Sequence, residues 1–369
     1  MKAAIIYSKS NHLNPGMLSV ELALVQRLKS FNFDLIKFFS IESGFQRDDK
    51  DNIAYGDLSD AEQLEGFDVI VFCGDFLHWK RYLTRDILGR KSFTNPDLST
   101  EDIINKWYSL VLLENKPTLQ KRTIIIGGTF YGLNSFELTD ARYLDALTAL
   151  YSNALLVKMR DVFSANFVNQ LTQLPKNYLG CDCALLMNAD FIQLSPEDKP
   201  KDSYILYAFE RSEHNFALRY FAKIISTLAK KDSIEIRWLG DSEEDLYRKI
   251  ALVRNASMVL TDIYHLSVTA VREKVPTLCF GDGVSGPDTS ITDKKKEIFF
   301  RQAFAVSHYI YSENVISAFE SDKLLLKMGQ DLLEILGNNE ANAFIFNMLE
   351  QYREAVINEF DSAIRQLVM

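Results

Sequence analysis

The chain has 369 residues, 47% hydrophobic and 25% charged, which is enough apolar material for more than one packed core. Its formal net charge of −9 argues against a broad nucleic-acid footprint. Stretches of roughly 18 apolar residues, the length of a membrane span, are missing, and the opening KAAIIY reads as a first β-strand rather than a signal peptide.

KAAIIY (2–7) is a short buried-strand run. MLSVELALVQRLKS (17–30) then sets Leu18, Leu22, Val25 and Leu28 at helical spacing. FDLIKF (33–38), FDVIVFC (67–73), RTIIIGG (122–128) and NALLVKM (153–159) read as further strands, with helical patterns near 101–114 and 137–151. Strands separated by helices predict βαβ units and a parallel sheet. NADFIQLSPEDKPKDS (188–203) is polar, carries Pro196 and Pro200, and interrupts the pattern. Beyond it the alternation restarts. Strands are expected at YILYAF (204–209), IEIRWL (234–239), SMVLT (257–261) and PTLCF (276–280), and helices at 214–231, 242–256 and 338–368. The fold class is therefore α/β, with a Rossmann-like doubly wound domain over 1–190, a linker over 191–203 and a second such domain over 204–369, facing a cleft. Ligands of such sheets bind outside the carboxyl ends of the strands.

Four cysteines occur, at Cys73, Cys181, Cys183 and Cys279. The C-x-C of Cys181 and Cys183 lacks zinc-site spacing, so reduced structural thiols, a reducing cytoplasm and no metal or cofactor are expected. Trp79 and Trp107 are candidate rings for stacking on sugars, although most aromatics belong to the core.

Candidate chemistry lies at strand ends. In TDIYHLSVTAVREK, His265 stands between a strand and a helix, where free N–H groups favour an anion. It reads either as an acid/base group whose pKa a bound anion would raise, or as a neutral side chain near a helix end. In VKMRDVFS, Arg160 follows a strand and can grip a carboxylate or phosphate, Asp161 caps a helix, and Ser164 aims a hydroxyl at the same anion. Asp182 is expected to start a buried strand and bond neighbouring N–H groups. Gly74, Asp75 and His78 follow one strand, and Gly127 and Gly128 end another. Lys294, Lys295 and Lys296 form either a solvated helix end or a clamp on a substrate phosphate.

These segments together resemble the polysaccharide pyruvyl transferase family. VKMRDVFS, GCDCALLM and ASMVLTDIYHLSVTAVREKVPTLCFGDG stand in the family's order, and NPGMLSVELAL resembles its opening glycine loop and helix. The resemblance implies a two-domain, glycosyltransferase-B-like fold. It implies transfer of a pyruvyl ketal from phosphoenolpyruvate, a donor substrate rather than a cofactor, to a sugar of a surface or secreted glycan. His265 matches the family's acid/base histidine and Arg160 the arginine at the donor anion, giving two catalytic candidates. Ser164, Gly74, Asp75, Gly128, Lys294 and Lys295 are the substrate-binding candidates. The implied partner is a glycan or lipid-linked saccharide, met in the cytoplasm or by peripheral contact at the inner face of a membrane. Ile263 stands where the family often has arginine, and Asp262 beside it has the wrong charge for a phosphate site. A nucleotide-sugar glycosyltransferase and a non-catalytic glycan-binding relative are the alternative readings.

Overall fold

The computed structural model describes residues 1–7, 14–41, 52–74, 76–88, 99–131, 133, 137–190, 192–193, 202–239, 242–283, 291–303 and 305–368. The chain divides into two compact units. The first comprises Met1–Asn11, Val20–Met187 and Arg353–Met369, and the second comprises His12–Ser19 and Asn188–Tyr352. The expected linker falls largely outside the described residues. The end of the C-terminal helix, Asn339–Val368, groups with the first unit rather than the second. Two ion pairs hold it there, Arg27 to Asp361 at 2.8 Å and Lys158 to Glu359 at 2.7 Å.

The first unit contains strands β1 (Lys2–Tyr7), β2 (Leu35–Ser40), β3 (Ile53–Asp57), β4 (Val69–Cys73), β5 (Thr123–Gly128) and β6 (Leu156–Met159). They pair in parallel in the order β3-β2-β1-β4-β5-β6, the Rossmann order. The strand sequences explain why: β4 and β5 are buried along their whole length, as a sheet covered by helices on both faces requires. Trp107, Tyr143, Leu147 and Tyr151 cover that sheet, packed with Ile70, Phe72 and Ile125. Trp79 and Trp107 are 4% and 0% exposed, so they belong to this core and present no ring to a sugar.

The second unit contains β7 (Tyr204–Ala208), β8 (Asp232–Glu235), β9 (Met258–Thr261), β10 (Thr277–Gly281) and β11 (Tyr309–Tyr311), all parallel, in the order β11-β10-β9-β7-β8. Leu218, Phe221 and Ile225 of the Asn215–Ala229 helix pack with Ile205, Tyr207, Leu260 and Leu278 of the sheet. Both units are thus doubly wound, as the sequence predicts. β3 and β11 lack the buried apolar run that marks the other strands, because each is a half-covered edge strand. β8 is shorter than the expected 234–239 and starts earlier. Among the described residues no helix is long and apolar enough to cross a membrane.

Gly127 shows how tightly the carboxyl end of β5 is built. Its φ is +72°, and a Cβ there would lie 2.4 Å from Cys183 Sγ. Gly127→Ala should therefore cost about 2–3 kcal/mol, from left-handed backbone strain plus overpacking. Adding Cys183→Ala should recover part of that loss in urea denaturation, since it removes the clash but not the strain.

Candidate functional site

In the first unit, the chain leaves β6 at Met159 and immediately turns to face β5. Arg160 N donates to Gly128 O at 2.9 Å. Asp161 caps the Val162–Thr172 helix, with Oδ1 accepting from Ser164 N at 2.8 Å. Its Oδ2 accepts from Thr129 Oγ1 at 2.6 Å and Ser164 Oγ at 2.9 Å. Ser164 Oγ in turn accepts from Phe130 N at 2.7 Å. The Ser164 hydroxyl is thereby engaged inside the protein, where it fixes the loop that follows β5, and its residue is 1% exposed.

The Arg160 guanidinium is buried and lies 3.7 Å from the carboxylate of Asp182. Asp182 does not begin a strand, contrary to the sequence reading. It caps a single 3-10 turn, Cys183–Leu186, by accepting from Ala184 N at 2.8 Å. The preceding residues Tyr178–Gly180 run beside the end of β6, exchanging backbone bonds with Met159, so the apolar run is buried without being a strand. Asp182 is thus both a cap and a counter-charge for Arg160.

Gly74, with φ +120°, and Gly128 line a small cavity together with His78, Thr129, Phe130 and Tyr151. The structure therefore gathers Arg160, Ser164, Gly74 and Gly128 around the carboxyl ends of β4, β5 and β6. Asp75 lies outside the described residues. His78 belongs to the core. Burial lowers its pKa to about 3 and pushes that of Tyr151 up, so the ring is neutral, and its Nδ1 shares a 2.8 Å hydrogen bond with the Tyr151 hydroxyl. At the edge of this group, Phe163 is 57% exposed with its ring 6.2 Å from that of Tyr131.

In the second unit the strand order switches between β7 and β9, where an open α/β sheet presents its ligand crevice. Asp262 sits at this point and is wholly buried. Its carboxylate accepts from the backbone N–H groups of Glu210, Arg211 and Ser212 at 2.9, 2.7 and 2.6 Å. The apparent conflict of charge at Asp262 is thereby resolved: it is an internal anion held by three donors, not a free charge facing a ligand. Ile263 is buried at the N-cap of the Tyr264–Arg272 helix. His265 is the second residue of that helix and half-buried, with its ring 5.0 Å from the ring of Tyr264. It also covers Gly16, where a Cβ would lie only 2.2 Å from His265 Cδ2. The opening glycine of the chain is thus required by the histidine's ring.

The lysine run divides. Lys294 lies 3.9 Å from Glu297, and Lys294 and Lys295 are both partly exposed. Lys296 is 1% exposed and donates from Nζ to Phe280 O at 3.1 Å and Asp293 at 2.5 Å, fixing the end of β10. It is no solvated helix end. Glu210 accepts from Trp238 N, and Gly283 N donates to Glu313. The four thiols are free and buried, and burial raises that of Cys279 to about 12, which leaves no reactive thiolate there. Sequence reasoning missed Thr129, whose only signal is a hydroxyl directly after Gly127–Gly128. It also missed Arg211, which is exposed, has no ion-pair partner among the described residues, and has its backbone held by Asp262.

The family model described as polysaccharide pyruvyl transferase matches residues 21–283. Curated proteins yield no match to the chain. Among solved structures, the UDP-GlcNAc 2-epimerase of Neisseria meningitidis bound to UDP-GlcNAc is similar at 12% identity, with 98% of this chain and 99% of that one covered and a TM-score of 0.50. The UDP-GlcNAc 2-epimerase of Methanocaldococcus jannaschii gives 15% identity, 91% and 99% coverage and a TM-score of 0.46. The spinosyn rhamnosyltransferase SpnG complexed with thymidine diphosphate gives 11%, full coverage of both chains and 0.41. The first of these likenesses concerns the fold alone, a glycosyltransferase-B-like pair of α/β units.

Removing the Asp262 carboxylate leaves three backbone N–H groups without their acceptor, the buried one of Ser212 among them. Asp262→Ala should lower stability by about 3 kcal/mol or more, and chemical denaturation of the two chains measures it. His78 supplies a pH dependence. It is neutral when folded and protonates near its ordinary value when unfolded, so the unfolded state binds the extra proton below about pH 6.5. Stability should be full above that value and fall with acidification towards pH 3, by roughly 2 kcal/mol at pH 5. His78→Phe should flatten the slope in this window.

Proposed function

The chain belongs to the polysaccharide pyruvyl transferase family, and on that premise we propose that it moves a pyruvyl group from phosphoenolpyruvate onto a glycan sugar as a ketal. The observation that carries this reading is the span of the family match, 21–283, which includes Gly74, Asp75, Gly128, Arg160, Ser164 and His265. In the reaction a proton adds to the methylene carbon of the donor, and positive charge develops on the adjacent carbon. One sugar hydroxyl attacks that carbon. A second hydroxyl then closes the ketal as inorganic phosphate leaves with its bonding electrons; of the two hydroxyl protons lost, one restores the acid that protonated the methylene carbon and the other goes to the departing phosphate. His265 is proposed as the acid that supplies the methylene proton, favoured when an anion binds beside it. Arg160, held in one orientation by Asp182, is proposed to bind the donor anion. Asp161, Thr129 and Ser164 position the loop on which Arg160 depends.

Ile263 leaves the second unit without the usual arginine, and we assign that unit's anion-binding cation to Arg211, with Lys294 and Lys295 of the Ile291–Gln302 helix as further candidates. Gly74, Asp75 and Gly128 are proposed to let the acceptor approach the first unit's backbone, and Phe163 to offer it an apolar ring face. The acceptor is a glycan or lipid-linked saccharide, modified in the cytoplasm, to which free buried cysteines are suited. Nucleotide-sugar transfer is the weaker reading, because Asp262 and Glu313 occupy the backbone donors of the Glu210–Ser212 loop and of Gly283 that a diphosphate would use.

The test is thermal shift with phosphoenolpyruvate and, separately, with nucleotide sugars, paired with phosphate release in the presence of pooled glycans. Phosphoenolpyruvate at 100 times its Kd should stabilise the wild type by about 2.7 kcal/mol. Arg160→Ala and Arg211→Ala should lose most of that stabilisation. His265→Ala should keep it while losing phosphate release. Stabilisation by nucleotide sugars alone would sink pyruvyl transfer.

A further inference from the structure

The most exposed large apolar side chain among the described residues is Phe216, at 82%. It lies in the first turn of the Asn215–Ala229 helix, which buries Leu218, Phe221, Ala222 and Ile225 against the second unit's sheet. Phe216, Tyr220, Lys223, Thr227 and, just past the helix end, Lys230 follow at alternating spacings of four and three residues. They therefore form one straight outward stripe, and all are exposed. Beside it the ring of Phe319 lies 5.8 Å from that of Tyr220.

The stripe carries both signs of charge, separated along its length. Glu213, exposed and close to the neighbouring His214, precedes it, and exposed Glu320 and Asp322 follow Phe319 near its Tyr220 end. Lys223 and Lys230 lie towards the other end, and neither has an ion-pair partner among the described residues. Arg211 and Lys323 are exposed cations near these acids in sequence, and Asp232 is an exposed acid near the lysines. The contrast within the stripe runs from Glu213 at one end to Lys230 at the other. Such a pattern has no preference for a surface of one sign, but it complements itself. Laid antiparallel on a second copy, about a two-fold axis level with Phe221 and Ala222, it sets Glu213 against the partner's Lys230. The same operation places Tyr220 against the partner's Lys223, a cation over an aromatic ring, and Phe216 against the partner's Thr227. A two-fold contact uses the same patch on both copies, so each of these pairs occurs twice. Parallel pairing would instead set Lys223 and Lys230 against their own copies.

We propose that the outward stripe of the Asn215–Ala229 helix, with Glu213 at one end and Lys230 at the other, is the interface of a two-fold homodimer in which two such helices pack antiparallel. The interface stands on exposure and charge order alone, independent of the transfer reaction.

Sedimentation-velocity ultracentrifugation of the full-length protein should show a monomer–dimer equilibrium that added salt weakens. Glu213→Lys and Lys230→Glu should each raise the dimer Kd about tenfold or more, because each places two like-charge pairs in the contact. The two single variants mixed in equal amounts should associate with each other, and the double variant Glu213→Lys/Lys230→Glu should dimerise as the wild type does, since both arrangements restore opposite charges at every pair. Phe216→Ser/Tyr220→Ser should be monomeric with the wild-type circular dichroism spectrum, which separates loss of the interface from loss of the fold. The proposal is overturned by a wild type that stays monomeric at every concentration, including one that instead sediments with anionic vesicles. It is equally overturned by a dimer that the serine substitutions leave intact, or by single variants that fail to associate when mixed.

Discussion

The carboxylate of Asp262 is the contact on which the second unit's functional end depends. At the switch point of a parallel sheet, the loops after β7 and β9 diverge and leave backbone N–H groups without strand partners. Asp262 satisfies three of them at once and is itself sealed from water. A buried carboxylate survives only with such donors around it, and such donors need an acceptor. The pair therefore fixes the relation of the Glu210–Ser212 loop to the helix that carries His265. Everything proposed for that end, from the histidine's position to the placement of Arg211, inherits its geometry from this interaction.

The first unit reaches the same result with Asp161. There the carboxylate caps a helix and also holds Thr129 and Ser164, so the loop after β5 is tied to the turn after β6. Arg160 lies between these restraints and Asp182. In both units a buried aspartate just beyond a strand ties that strand's exit to another strand's loop. A ligand group placed on such a frame keeps its orientation without substrate, which is what stabilising a developing charge demands.

Buried lysines complement the buried aspartates. Lys158 donates to Asn177 O, Lys249 to Trp238 O and Lys296 to Phe280 O, each ammonium meeting a carbonyl where regular structure ends. Each also has a carboxylate partner, Glu359, Asp245 or Asp293. The net charge of −9 consequently says little about any local surface. Lys223 and Lys230, exposed on and just beyond the Asn215–Ala229 helix, have no ion-pair partner among the described residues.

The sequence by itself determined the fold class and the buried elements that carry it. Apolar runs such as VIVFC and TIIIGG are strands because only a sheet covered on both faces buries every residue of a short segment. The alternation with helices dictated parallel pairing, and the order of short motifs identified the family. The Asp161 cap was also legible, since capping is a contact between near neighbours. Tertiary structure decided what each polar side chain does. Asp262 as an internal anion, Asp182 as partner of Arg160, the inward turn of Lys296 and the packing of His265 on Gly16 all join residues far apart in the chain. Local pattern cannot encode such pairs, because a carboxylate or ammonium follows the same propensities whether its partner is water, a backbone group or a distant charge. The edge strands β3 and β11 and the outward face of Phe216 were hidden for a related reason: exposure depends on what the rest of the chain leaves uncovered.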